Sequence, residues 1–400
     1  MNSVISSNQK TIFDGWRPLV VSLYMTLVGY GVLVGIPVIS TAWVNLLGFS
    51  EVEVGRVAGA DLGGLSLGAV ITAFFIARFN RRSLVVVGIA IAILANGLCI
   101  KMVEYEQVLW LRLLAGVGSG IYTAVAVASL GATSRPARAY NLMLFAFAFS
   151  QAAEMQFLPM LSMQGIYWVF IVCFIITLPF ISWIPAYPEN SDQSPEQSFA
   201  IDTDANQIQI PSYVPWLCLT AIAITYINIG AYWTYIELAA LEDQATPSWV
   251  SKILVWASFC SLVGCAFATV LSNRFGLIRP LLVALLSMAL AVGLLANGIT
   301  DQKIFISVFS FNFLWIFVDV YQMSTIANVD KTGRFASIIP AAQGLGQIIG
   351  PNIAASLLGL SLGYSAVFIL GAGAGIAALL IYAFIFMRFR KTIPTLAYAN

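Results

Sequence analysis

Apolar runs of roughly twenty residues recur along the whole chain, separated by short polar breaks. Each is long enough to cross about 30 Å of hydrocarbon as a helix. The pattern predicts twelve spans. Six lie near residues 18–40, 51–77, 83–102, 107–132, 139–162 and 165–186. The other six lie near 213–240, 248–272, 279–300, 302–326, 335–359 and 363–387. One longer polar stretch, "YPENSDQSPEQSFAIDTDANQIQIP" (187–211), interrupts the series with five acids, no base and three prolines, Pro188, Pro195 and Pro211. Such composition predicts a flexible linker. The chain therefore divides into a tail (1–17), a six-helix bundle (18–186), the linker (187–211), a second six-helix bundle (212–387) and a tail (388–400).

Composition agrees with the pattern. The 400 residues are 60% hydrophobic and 9% charged, and mean hydropathy is +0.89. Soluble domains carry about a quarter charged residues, so the chain belongs in a bilayer. A net charge of +1 gives no reason to expect a nucleic-acid partner. Histidine is absent, which removes imidazole general acid–base chemistry, imidazole metal ligands and a histidine relay. A proton carrier would have to be a carboxylate. The five cysteines have no metal-ligand spacing and read as small apolar residues; no metal or cofactor is expected. The polar start "MNSVISSNQKTIFDGWRP" lacks a cleavable signal pattern, so the first span is expected to be retained.

Charge position then sets topology. Lys10, Arg17, Arg78, Arg81, Arg82, Arg135, Arg138, Arg274, Arg279, Lys331, Arg334, Arg388, Arg390 and Lys391 all fall on the side of the termini. The opposite side holds Arg56, Lys101, Lys252 and Lys303. The positive-inside rule makes both termini cytoplasmic. The expected location is a multi-pass position in a bacterial cytoplasmic (inner) membrane.

The two halves echo each other. "ARFNRR" (77–82) answers "NRFGLIRP" (273–280), "LANG" recurs at 94–97 and 295–298, Arg138 matches Arg334, and "FSQAAE" (149–154) lies opposite "LGQIIG" (345–350). Their shared order predicts a parallel repeat of six helices. With these features the chain resembles the major facilitator superfamily (MFS) of secondary transporters. "ARFNRR" resembles the basic loop motif D-R-x-G-R-R between spans 2 and 3, with Ala77 at the aspartate position and Asn80 at the glycine. "RLLAGVGSG" (112–120) resembles the span-4 motif R-x-x-x-G-x-G. "GQIIGP" (346–351) resembles the G-x-x-x-G-P element that drug antiporters carry in span 5; here it stands in span 11, and span 5 has "EMQFLP". The resemblance implies an all-α membrane protein of two pseudo-symmetric bundles, rocking about a cavity lined by spans 1, 4, 7 and 10. It also implies that Arg78, Arg81, Arg82 and Arg274 are either gating groups or topology determinants only.

Charges within predicted spans are expensive and point to a partner or a task. They are Asp61, Arg112, Glu154 and Asp319, with Glu237 at the outer end of span 7. From a rise of about 1.5 Å per residue, Arg112 lies roughly 8 Å, Asp61 roughly 15 Å and Glu154 roughly 12 Å below the outer ends of their spans. Arg112 is thus expected to bridge one or both acids. Three roles stay open: a packing clamp, a proton-linked switch in which one acid alternates between Arg112 and a proton, or capture of an anionic substrate. Asp319 shares a helical face with Asn312, Trp315 and Gln322, a stripe that must face water or protein. It is the leading proton-coupling candidate, with Glu154 and Asp61 behind it.

In span 7, "TYINIGAYWTYIE" puts Asn228, Tyr232 and Tyr235 on one face and Tyr226, Trp233 and Glu237 on another. Aromatic rings with polar tips suit an amphipathic organic solute, or mark the membrane interface. Ser119, Tyr122 and Thr123 continue the Arg112 face; Tyr24 and Tyr30 are weaker candidates in span 1. The expected substrate-contacting set is Arg112, Tyr122, Asn228, Tyr232, Tyr235, Asn312, Trp315 and Gln322. The glycine pairs 31/35, 64/68, 116/120, 346/350 and 371/375 are read as close-packing sites.

These readings converge on a monomeric secondary transporter that moves a small organic solute by alternating access, coupled to protons. No G-x-x-x-x-G-K-[ST] motif offers ATP drive. Multidrug export and organic-anion uptake remain alternatives, with a non-transporting sensor or a membrane enzyme behind them.

Overall fold

The computed structural model describes residues 11–187, 211, 213–271, 274–329, 335 and 338–390; of Pro136 and Ala137 it describes the backbone only. Lys10, Lys331, Arg334, Lys391 and almost all of the expected linker lie outside the described residues. Within them are fourteen α-helices and no strand.

The first half comprises α1 (Trp16–Gly29), α2 (Gly31–Leu47), α3 (Glu51–Phe75), α4 (Arg81–Cys99), α5 (Tyr105–Gly131), α6 (Pro136–Phe157) and α7 (Met163–Thr177). The second comprises α8 (Tyr213–Glu242), α9 (Pro247–Ser258), α10 (Cys260–Leu271), α11 (Ile278–Gly293), α12 (Asp301–Val329), α13 (Ile339–Gly359) and α14 (Gly363–Phe389). Twelve spans result, because α1–α2 and α9–α10 are each one span broken in the middle. The first break is at Tyr30 (φ −90°, ψ 3°), between Gly29 and Gly31. The second is at Phe259.

Local chemistry sets the ends. The first span runs on to Leu47, seven residues past the expected end, since "TAWVNLL" stays apolar until Gly48. That glycine takes the left-handed conformation (φ 73°) and donates to the Val44 carbonyl at 3.0 Å, closing the helix. Ser50 starts α3 with a capping box: Glu53 Oε2 accepts the Ser50 N–H at 2.8 Å. Proline in the first turn opens α6 and α9.

Between helices in a bilayer there is little hydrophobic drive, so close van der Waals approach must hold the bundle. A side-chain carbon added at Gly116 would fall on the Asp61 carbonyl oxygen, and one at Gly64 on the Leu113 carbonyl oxygen. The α3 and α5 backbones therefore touch. Gly346 and Gly350 stand in the same relation to the Ala223 and Ile227 carbonyls of α8. A second glycine row on α3, at 55, 59 and 63, meets Pro351, Asn352 and Ile348 of α13 in the other half. Across that seam Arg56 donates to Asn352 Oδ1 (2.8 Å) and Ser356 Oγ (2.9 Å), and the Tyr235 hydroxyl donates to the Glu51 carbonyl (2.8 Å). Gln151 Nε2 donates to Asn312 Oδ1 (3.1 Å) nearer mid-depth. Among the described residues, every hydrogen bond between the halves lies at mid-depth or toward the face opposite the termini. Those bonds seal that face, and Gly344 of α13 packs on Ser66 of α3 nearer the termini.

Candidate functional site at the seam between the halves

Arg112 leads away from the seam. It is 2% exposed, and its Nε (2.7 Å) and Nη2 (2.5 Å) both reach Asp61 Oδ2. Its Nη1 donates to Asn96 Oδ1 (2.7 Å), and its guanidinium lies 5.7 Å from the Tyr167 ring centre. Those partners come from α3, α4 and α7, all of the first half. The expected bridge to Glu154 does not form. Glu154 instead sits on α6 beside Gly31 and Gly35 of α2, accepting from Ser150 Oγ (3.3 Å), with Oε2 buried and unpartnered. Equal depth had suggested the trio; the azimuth around the bundle separates its members.

The seam has its own polar set. Asp319 of α12 is half-buried; Oδ2 accepts the Tyr226 hydroxyl at 2.7 Å and Oδ1 has no partner. Trp315, one turn earlier, faces the same carboxylate. Gln322 donates to Thr225 Oγ1 at 2.9 Å and lies beside Tyr382 of α14. Tyr30, at the break in span 1, faces Tyr226 from the other half and packs edge-on against Phe147 at 5.3 Å. Asn312 closes the set through Gln151. Asp319 stands at the seam and Glu154 inside the first half, and neither has an ion-pair partner among the described residues.

Four expected contact residues point elsewhere. Tyr122 is buried inside the first half, bonded to Thr177 Oγ1 (2.6 Å) and edge-on to Phe174. Tyr232 is stacked on Phe311 at 4.1 Å and shares a hydrogen bond with Ser307. Tyr235 serves the seal described above. Asn228 is wholly buried against Gly371 and Gly375 of α14, with both polar atoms unpartnered. The face of α8 that meets the seam is the other one: Tyr226, Trp233 against Trp315, and Glu237 against Thr41 of α2. Gln151 lay outside the expected set, as did Tyr226 and Tyr30, and the structure brings all three to the seam; Asn96, a lone polar residue in an apolar span, was the available signal for the Arg112 partner.

The basic loop residues bind within their own half. Arg81 is buried, donates to Ser129 Oγ (3.2 Å) and lies 4.7 Å from the Phe13 ring centre. Arg82 donates to the Ile184 (2.7 Å) and Ser182 (3.0 Å) carbonyls. Arg78 and Arg274 are exposed on the face of the termini.

Two six-helix halves, sealed on one face and carrying polar groups along their shared seam, define a membrane transporter. The chain belongs to the Major Facilitator Superfamily, whose family model matches residues 20–329. Solved structures share the fold. The nucleoside transporter NupG is 11% identical with a TM-score of 0.70, over 92% of this chain and 98% of that one. The D-xylose–proton symporter is 15% identical (TM-score 0.69; 92% and 96%), and the human organic anion transporter MFSD10 (TETRAN) 14% identical (0.60; 91% and 97%). No curated protein matches by sequence.

Proposed function

We propose that the protein is a proton-coupled secondary transporter in which the halves 18–186 and 212–387 rock about the seam. Asp319 is its proton site. The observation that carries this is the Asp319 carboxylate itself: half-buried at membrane depth, bonded by Tyr226 on one oxygen, free on the other and unpaired with any base among the described residues. A carboxylate so placed is neutralised most cheaply by a proton or a cationic solute. Glu154, enclosed by α2 and α6 within the first half, is a second unpaired carboxylate that could take a proton.

The solute is a small organic molecule, amphipathic and neutral or cationic. Tyr30, Tyr226, Trp233 and Trp315 supply aromatic faces, Asn312, Gln322 and Gln151 supply hydrogen bonds, and Asp319 disfavours an anion. Arg112 is a packing clamp, since all three of its nitrogens are committed inside the first half or packed on Tyr167. Organic-anion uptake through Arg112 is the weaker alternative. The solute passes unmodified, and one chain holds a whole pathway, so a monomer suffices. Both termini face the cytoplasm of a bacterial inner membrane, as the basic bias predicts.

A screen in proteoliposomes with an imposed pH gradient tests the reading. Gradient-driven movement of an amine or neutral amphipathic solute is expected. Movement of anions alone, or movement indifferent to the gradient, would contradict it.

A further inference from the structure

At the terminus-side end of the first half, a cleft of about 520 Å³ opens between the start of α1 and the α5–α6 turn. Arg135 and Arg138 line it, with Phe13 and Leu19 as an apolar wall. Both arginines are exposed, and neither has a side-chain partner among the described residues. The cleft also contains Asp14, whose oxygens are turned into the wall: Oδ1 accepts the Ser134 N–H (2.8 Å) and hydroxyl (2.9 Å), and Oδ2 the Thr11 N–H (2.7 Å). Two free guanidinium groups at the positive end of α6 make a site for a phosphate.

The surface leading away from those arginines is apolar and open. Leu142, Phe145 and Phe149 continue the Arg138 face of α6 at helical spacing, and are 39%, 54% and 50% exposed. The row ends where Phe149 packs against Phe259, at the break between α9 and α10 in the other half, 5.3 Å between ring centres. A pair of exposed guanidinium groups and an exposed apolar row therefore share one helix face.

We propose that this is a phospholipid site. Arg135 and Arg138 hold the phosphate of an anionic phospholipid, and an acyl chain lies along Leu142, Phe145 and Phe149 up to the inter-half contact at Phe259. The net charge of the cleft, two bases and one acid, matches a singly charged phosphodiester better than a free phosphate dianion.

Native mass spectrometry of the full chain tests this with phosphatidylglycerol and phosphatidylcholine offered together. Selective retention of one phosphatidylglycerol is expected, reduced roughly tenfold or more in the Arg135→Gln/Arg138→Gln variant and unchanged in Arg388→Gln. Equal retention of the two lipids by the unmodified protein would overturn the proposal without recourse to any variant. So would displacement of phosphatidylglycerol by excess inorganic phosphate, which would mark a simple anion site, or undiminished retention by the double variant.

Discussion

Arg112 places two of its nitrogens on a single oxygen of Asp61, at 2.7 and 2.5 Å, and its third on Asn96. Three helices of one half are joined by this one guanidinium. Removing one partner of a buried pair strands the other charge, at about 3–5 kcal/mol, whereas replacing both by apolar groups is often neutral. Arg112→Ala should therefore lower the melting temperature in detergent sharply. Arg112→Met with Asp61→Leu should recover most of the loss and retain transport per folded molecule. Thermal unfolding and reconstituted uptake check both; a stable but inactive double variant would return Arg112 to the transport cycle.

The same three-helix contact depends on Gly116, where an added carbon would meet the Asp61 carbonyl oxygen. Since the obstacle is backbone, no side-chain rotation relieves it. Gly116→Ala should destabilise by about 1–3 kcal/mol, and an equal change at the open position Gly97 should be nearly silent. Thermal unfolding of the two variants side by side reads the difference.

Arg56 fastens the sealed face through Asn352 and Ser356. Arg56→Gln weakens that latch by about 1 kcal/mol, roughly a fivefold shift toward opening on that side. A cysteine placed at Ile348, against Gly63 in the seam, reports it in a background lacking the native thiols. Its labelling from that side should quicken by a similar factor; an unchanged rate would show that the glycine contact alone holds the seal.

Asp14 gives a pH-dependent contact outside the membrane. Slight burial pushes its carboxyl up, but the N–H and hydroxyl donors of Ser134 and Thr11 outweigh this and hold it below its ordinary value of 3.8. A lowered folded-state value means the contribution is complete above 3.8 and is lost as pH falls through the lower folded value. Hydrogen exchange over residues 11–15 should be unaltered from pH 8 to about 5 once intrinsic rates are corrected, and lose protection only in stronger acid.

The spans were legible because a bilayer imposes length and hydropathy on every one of them, and the Arg112–Asp61 pair because depth counts along a helix. Azimuth was not legible. Glu154 has the right depth and the wrong side, and it meets Gly31 and Gly35 instead of Arg112. On α8 polar and aromatic residues occur all round the helix, so periodicity gave two candidate faces and no means to choose. Asn228, Tyr232 and Tyr235 turn inward or to the seal, and Tyr226 reaches Asp319. The break at Tyr30 was equally hidden, since glycines on either side permit a bend without requiring one.

The most direct test of the central claim is Asp319→Asn in proteoliposomes, with gradient-driven accumulation and solute exchange measured on the same preparation. Asparagine keeps the Tyr226 contact and the volume but cannot carry a proton. Accumulation should fall to the level of passive equilibration, while exchange at equal pH persists within about twofold. Intact gradient-driven accumulation, or equal loss of both activities in a folded variant, would contradict Asp319 as the proton site.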